Sequence, residues 1–145
     1  MRTTLRMGRD WLGIAAVVYL AANLLHSADH VRQDFAGLNA AIFVGGGALT
    51  AAAVVVLIIV LRHDTRAAVV ATGVGFTAAV LVAASHIAPH WSVLSDSYVD
   101  DVHPDALSWA VVLLEIAAAG FLGVVGLHRL REEARGATAG QPQEA

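Results

Sequence analysis

The sequence predicts an all-α integral membrane protein, a four-helix antiparallel bundle with N-terminus and C-terminus both cytoplasmic. Three observations carry that expectation. Of 145 residues, 57% are hydrophobic and 14% charged, with a mean hydropathy of +0.66, whereas an average soluble chain carries about 25% charged residues. Four long, nearly uncharged runs meet the requirement of about 20 residues for a hydrocarbon core about 30 Å thick. All nine basic residues are Arg, and eight of them fall on one side of these runs.

The first span is predicted at about 11–30. A basic stretch precedes it, as in a secretory signal, but cleavage after Ala28 needs a small residue where His26 stands. The second span is predicted at about 40–61 and the third at about 67–87. The connection 62–66 is so short that these two must be antiparallel neighbours. The fourth span is predicted at about 106–127, opened by Pro104 and Asp105, which suit a first helical turn and its positive dipole end. Residues 1–131 thus form a single bundle, and 132–145, rich in Gly, Glu, Gln and Ala, reads as a disordered cytoplasmic tail.

Orientation follows from retention of Arg on the cytoplasmic side. Arg2, Arg6, Arg9, Arg62, Arg66, Arg129, Arg131 and Arg135 lie at one set of span ends and Arg32 alone at the other. The loops 32–39 and 88–105 are therefore expected to face outward from a multi-pass plasma (inner) membrane protein. Trp11, Trp91, Tyr98 and Trp109 fit interfacial anchors. The lipid bilayer is the first implied partner. Gly45, Gly46, Gly47 and Thr50, with Gly73, Gly75, Gly120, Gly123 and Gly126, offer faces for close helix packing, within the bundle or against another subunit or a second copy.

Composition also excludes. A net charge of -3 argues against a nucleic-acid partner. The absence of Cys removes disulfides, thiolate metal sites and thiol nucleophiles. Seven His remain, and five sit toward the outer side: His26, His30, His86, His90 and His103. At 100° per residue Tyr19, Asn23, His26, Ser27, His30 and Asp34 form one polar stripe that should face the bundle interior. Imidazole suits zinc, copper(II), nickel or iron, and two His four residues apart on a helix can chelate one ion. Two such pairs at one depth make a candidate metal site of His26, His30, His86, His90 and His103. Asp29, Asp34, Asp96 and Asp105 are candidate further ligands or acceptors that fix the imidazole tautomers. Zinc is the expected ion, since no Met lies on this face to favour copper(I).

Glu115 stands near the middle of the fourth span, where an ionisable group is costly and marks function by default. It is the candidate catalytic proton acceptor, with Asn23 and Thr77 at comparable depth as partners. These residues imply a metal-binding sensor, carrier subunit or metal-dependent hydrolase. The alternatives are a haem b protein ligated by His from opposite helices, and a non-catalytic scaffold or accessory subunit of a membrane complex. The run His86-Ile87-Ala88-Pro89-His90-Trp91-Ser92, continuing to Ser95-Asp96-Ser97-Tyr98, resembles segments of uncharacterised four-span inner-membrane proteins of actinobacteria. The resemblance implies a plasma-membrane location and no assigned activity.

Overall fold

A continuous apolar run of about 20 residues satisfies its own backbone groups without water as a helix, and four helices follow in chain order: α1 (Arg2–Arg32), α2 (Ala40–Leu61), α3 (Ala67–His86) and α4 (Ala106–Ala139). The computed structural model describes residues 2–35, 38–100 and 104–139, with side chains between 11 and 137 in those ranges. Each helix contains a stretch long and apolar enough to cross a membrane. Among the described residues there is no strand.

Local chemistry sets the ends. The α1 terminus closes with Phe35 N–H donating to the His30 carbonyl at 2.9 Å, and Asp34 and Phe35 both adopt the left-handed region. Asn39 caps α2, its side-chain oxygen accepting from the Ala41 and Ile42 amides. Asp105 caps α4 by accepting from the Ser108 amide at 3.0 Å. At the other end α4 continues as helix to Ala139, through part of the segment whose composition reads as disordered. Ion pairs one turn apart support it there, from Arg129 to Glu132 and Glu133 and from His128 to Glu132.

Packing runs around a ring: α1 meets α2 and α4, and α3 meets α2 and α4. On α1 the buried positions Leu12, Ala15, Ala16, Tyr19, Ala22, Asn23, His26 and Asp29 follow the helical period. The apolar ones, Leu12, Ala15, Ala16, Tyr19 and Ala22, share one core with Ala53 and Val56 of α2, Ala71 and Ala78 of α3, and Ala118, Ala119 and Leu122 of α4. The closest pair is α3 with α4. A Cβ on Gly75 would overlap the Gly123 backbone, and one on Gly126 would lie 2.7 Å from the Thr72 amide. Gly45, Gly46, Gly47, Gly73 and Gly120 have nothing within 4 Å of such a Cβ, so the packing role expected of them is not seen. Among the described residues, only the α3–α4 seam needs its glycines.

The segment after α3 turns back over the end of the bundle. The Asp96 amide donates to the Ser85 carbonyl at 3.0 Å and the Tyr98 amide to the His86 carbonyl at 2.9 Å. These bonds satisfy last-turn carbonyls that the helix itself leaves open. Ser95, Asp96, Ser97 and Tyr98 are all buried by that return. Trp11 and Trp91 are exposed at span ends as interfacial anchors should be, whereas Tyr98 lies inside, against His86 and Trp109.

Candidate metal centre

The polar stripe of α1 turns inward as its spacing predicts, with Asn23 and His26 buried and His30 partly so. Ser27 is more exposed and donates to the Asn23 carbonyl, and Asp34 lies beyond the helix end, exposed. From the last turn of α3, buried His86 reaches the same point. The ring centroids of His26 and His30 are 4.7 Å apart, those of His26 and His86 4.8 Å, and those of His30 and His86 5.7 Å. One nitrogen of each of the three lies within 4.8 Å of the others.

What stands behind the rings decides their chemistry. His26 Nδ1 meets Glu115 Oε2 in a short hydrogen bond between buried groups. Glu115 Oε1 accepts from Asn23 Nδ2 at 2.8 Å, and Asn23 Oδ1 accepts from the Thr50 hydroxyl at 2.8 Å. A chain of hydrogen bonds thus joins α2, α1 and α4 and ends on an imidazole. His86 Nδ1 faces the Asp96 carbonyl at 3.1 Å. The Asp96 carboxylate is 3.5 Å from His86 Nδ1 and 3.8 Å from His30 Nδ1. Acceptors at Nδ1 assign the proton there and leave Nε2 as the free lone pair, the arrangement that prepares imidazole for a metal. His26 Nε2 is buried and has no hydrogen-bond partner.

Comparison with protein-family models, curated proteins and solved structures found no match. The site must therefore be read from its own residues.

Of the predicted candidates, His26, His30 and His86 converge, with Asp96 beside them and Glu115 behind His26. Glu115 touches Asn23 and His26 and so orients a ring. Thr77, expected at comparable depth, is exposed, and Thr50 takes its place as the third polar member of the chain. His90 is exposed, its amide donating to Asp100 Oδ2 at 2.9 Å. His103 lies outside the described residues.

Asp29 and Asp105 do not join the imidazoles. Arg32 Nε donates to Asp29 Oδ1 at 2.7 Å, and its terminal nitrogens reach Asp105 and the Ser108 hydroxyl at 3.0 and 2.9 Å. Gln33 takes the other Asp29 oxygen at 2.7 Å. Arg32 gathers two carboxylates because it is a permanent cation beside both, and five donors in one plane suit that task. The Ser108 amide, helped by Arg32, holds the Asp105 carboxyl below its ordinary value of 3.8. Burial, reinforced by Asp96, pushes the Tyr98 phenol up to about 12, so Tyr98 faces His86 as a neutral ring.

Proposed function

We propose that this chain is a small multi-pass plasma-membrane protein that holds one divalent transition metal ion, zinc, through His26, His30 and His86. Its Arg-rich ends lie in the cytoplasm and the site lies toward the outer face, a reading supported by the asymmetry of Arg, and the resemblance of residues 86–92 and 95–98 to segments of actinobacterial inner-membrane proteins supports the plasma membrane as the location. The observation that carries the reading is the convergence of three imidazoles from two helices, two with Nδ1 turned toward an acceptor. Zinc bonds of about 2.0–2.1 Å need the nitrogens closer than 4.8 Å, and small rotations of the rings supply that.

Three protein ligands leave one coordination position open, the pattern of catalytic zinc sites, where the ion polarises a bound oxygen or activates water. His26 and His86 are 7% and 4% exposed, which favours a resident ion over one that exchanges in sensing or carriage. Metal-dependent hydrolysis is therefore the activity the site supports best. Haem b fits less well, because a porphyrin needs its two imidazoles on opposite faces and these rings touch one another. The test is metal analysis of purified protein. One zinc per chain is expected in the wild type, and a His26→Ala, His86→Ala double variant that stays folded should have lost it. Equal metal in both proteins sinks the reading.

A further inference from the structure

A cavity of about 420 Å³ lies directly against the three imidazoles, between α1, α2 and α3. That volume falls in the range of small-molecule sites, about 300–1,000 Å³. Its walls are of two kinds. One end is polar, made by Asn23, His26, His30, His86 and Glu115, and much of the remainder is apolar, including Ile42, Leu49, Leu81, Val82 and Leu94.

The cavity exists because of a gap in α2. One row of α2 at alternating steps of three and four residues runs through Ile42, Gly46, Leu49, Ala53, Val56 and Val60, its last three members buried in the bundle and Ile42, Gly46 and Leu49 lining the cavity. Every one of these except Gly46 carries a side chain, and a Cβ there would meet nothing within 4 Å. The missing side chain borders an apolar trough whose lining includes His26, His30 and His86.

Resting on the metal reading above, we propose that this cavity binds a single-chain amphiphile with an anionic oxygen head. The head takes the open position on the ion and the chain lies along α2 past Gly46. A dication with an open position prefers a charged oxygen donor, and Arg32, a permanent cation at the end of α1, is already bound to Asp29 and Asp105. A head alone leaves the apolar wall uncovered, and a cavity of this size takes one chain of medium length. A carboxylate or a phosphate monoester serves equally as the head, and both belong in the test.

The test uses the full chain in lipid nanodiscs with cobalt(II) supplied as the ion and its content per chain measured first. Acetate, hexanoate, dodecanoate and dodecyl phosphate are then titrated while the visible bands of the cobalt are followed. The bands should shift with dodecanoate or dodecyl phosphate at concentrations at least tenfold below hexanoate, and further below acetate. Longer chains also concentrate in the disc, so the deciding protein is Gly46→Leu. It should keep its cobalt and its acetate response and lose the preference for the long chain. A chain-length preference retained in Gly46→Leu, or no response to either dodecyl probe in protein holding one cobalt per chain, overturns this proposal and leaves the metal reading standing. Protein that binds no cobalt removes both.

Discussion

His26 of α1 and Glu115 of α4, 89 positions apart in the sequence, meet in a buried hydrogen bond. The bond sets the orientation of the ring that lies nearest to both other imidazoles. Glu115→Gln keeps the shape and can still accept from or donate to the ring, but it replaces the carboxyl group behind His26 with a weaker amide partner. Zinc affinity, measured by competition with a chelator, should fall about 10–100-fold, the usual cost of removing an acceptor behind a ligating His. An unchanged affinity would mean that the carboxylate only fixes helix register.

The α3–α4 seam gives a contrast between two glycines. Gly75→Ala forces a methyl against the Gly123 backbone and should destabilise by about 1–3 kcal/mol, as overpacking does. Gly120→Ala meets nothing within 4 Å and should be neutral or stabilise by up to about 1 kcal/mol through helix propensity. Thermal midpoints of the two variants in the same detergent should fall on opposite sides of, or at and below, the wild-type value.

Asp105 gives a pH dependence whose sign is fixed. Its folded pKa lies below 3.8, so it adds stability above the unfolded value, and that stability disappears as pH falls through the folded one. Asp105→Asn should be less stable than wild type at pH 7, and the difference should shrink as pH drops from about 4 toward 2. A gap that stays constant over that range would show that the carboxylate does not titrate with folding.

Arg32 ties the end of α1 to the start of α4 through Asp29, Asp105 and Ser108. Arg32→Met should speed amide hydrogen exchange in the last turn of α1 and the first turn of α4. Metal content should remain at the wild-type level, because none of the three imidazoles contacts this cluster among the described hydrogen bonds and ion pairs. Loss of metal in Arg32→Met would tie the two clusters together.

Much of this was readable from residue spacing. The four spans follow from hydropathy, and the inward stripe of α1 follows from the cost of leaving Asn23 and His26 in lipid. That Asn23 partners Glu115 follows from matched depth. The acidic residues were harder to place. Asp29, Asp34, Asp96 and Asp105 look alike in sequence, and the placing of Asp96 beside the imidazoles depends on the path of the loop between α3 and α4. Two backbone bonds to the end of α3 set that path, and these leave no mark in the side-chain pattern. Thr50 was visible as a polar residue in an apolar helix, but its spacing fits packing and hydrogen bonding equally well.

The ring of helix contacts has a mechanical consequence. A four-sided frame joined mainly along its sides shears into a lozenge more readily than it stretches any side. α1 and α3 sit at opposite corners of that frame, and His26 and His30 touch His86 across the diagonal. An ion held at their meeting point, as proposed above, would act as a cross-brace, stiffening one end of the bundle on arrival and releasing it on departure.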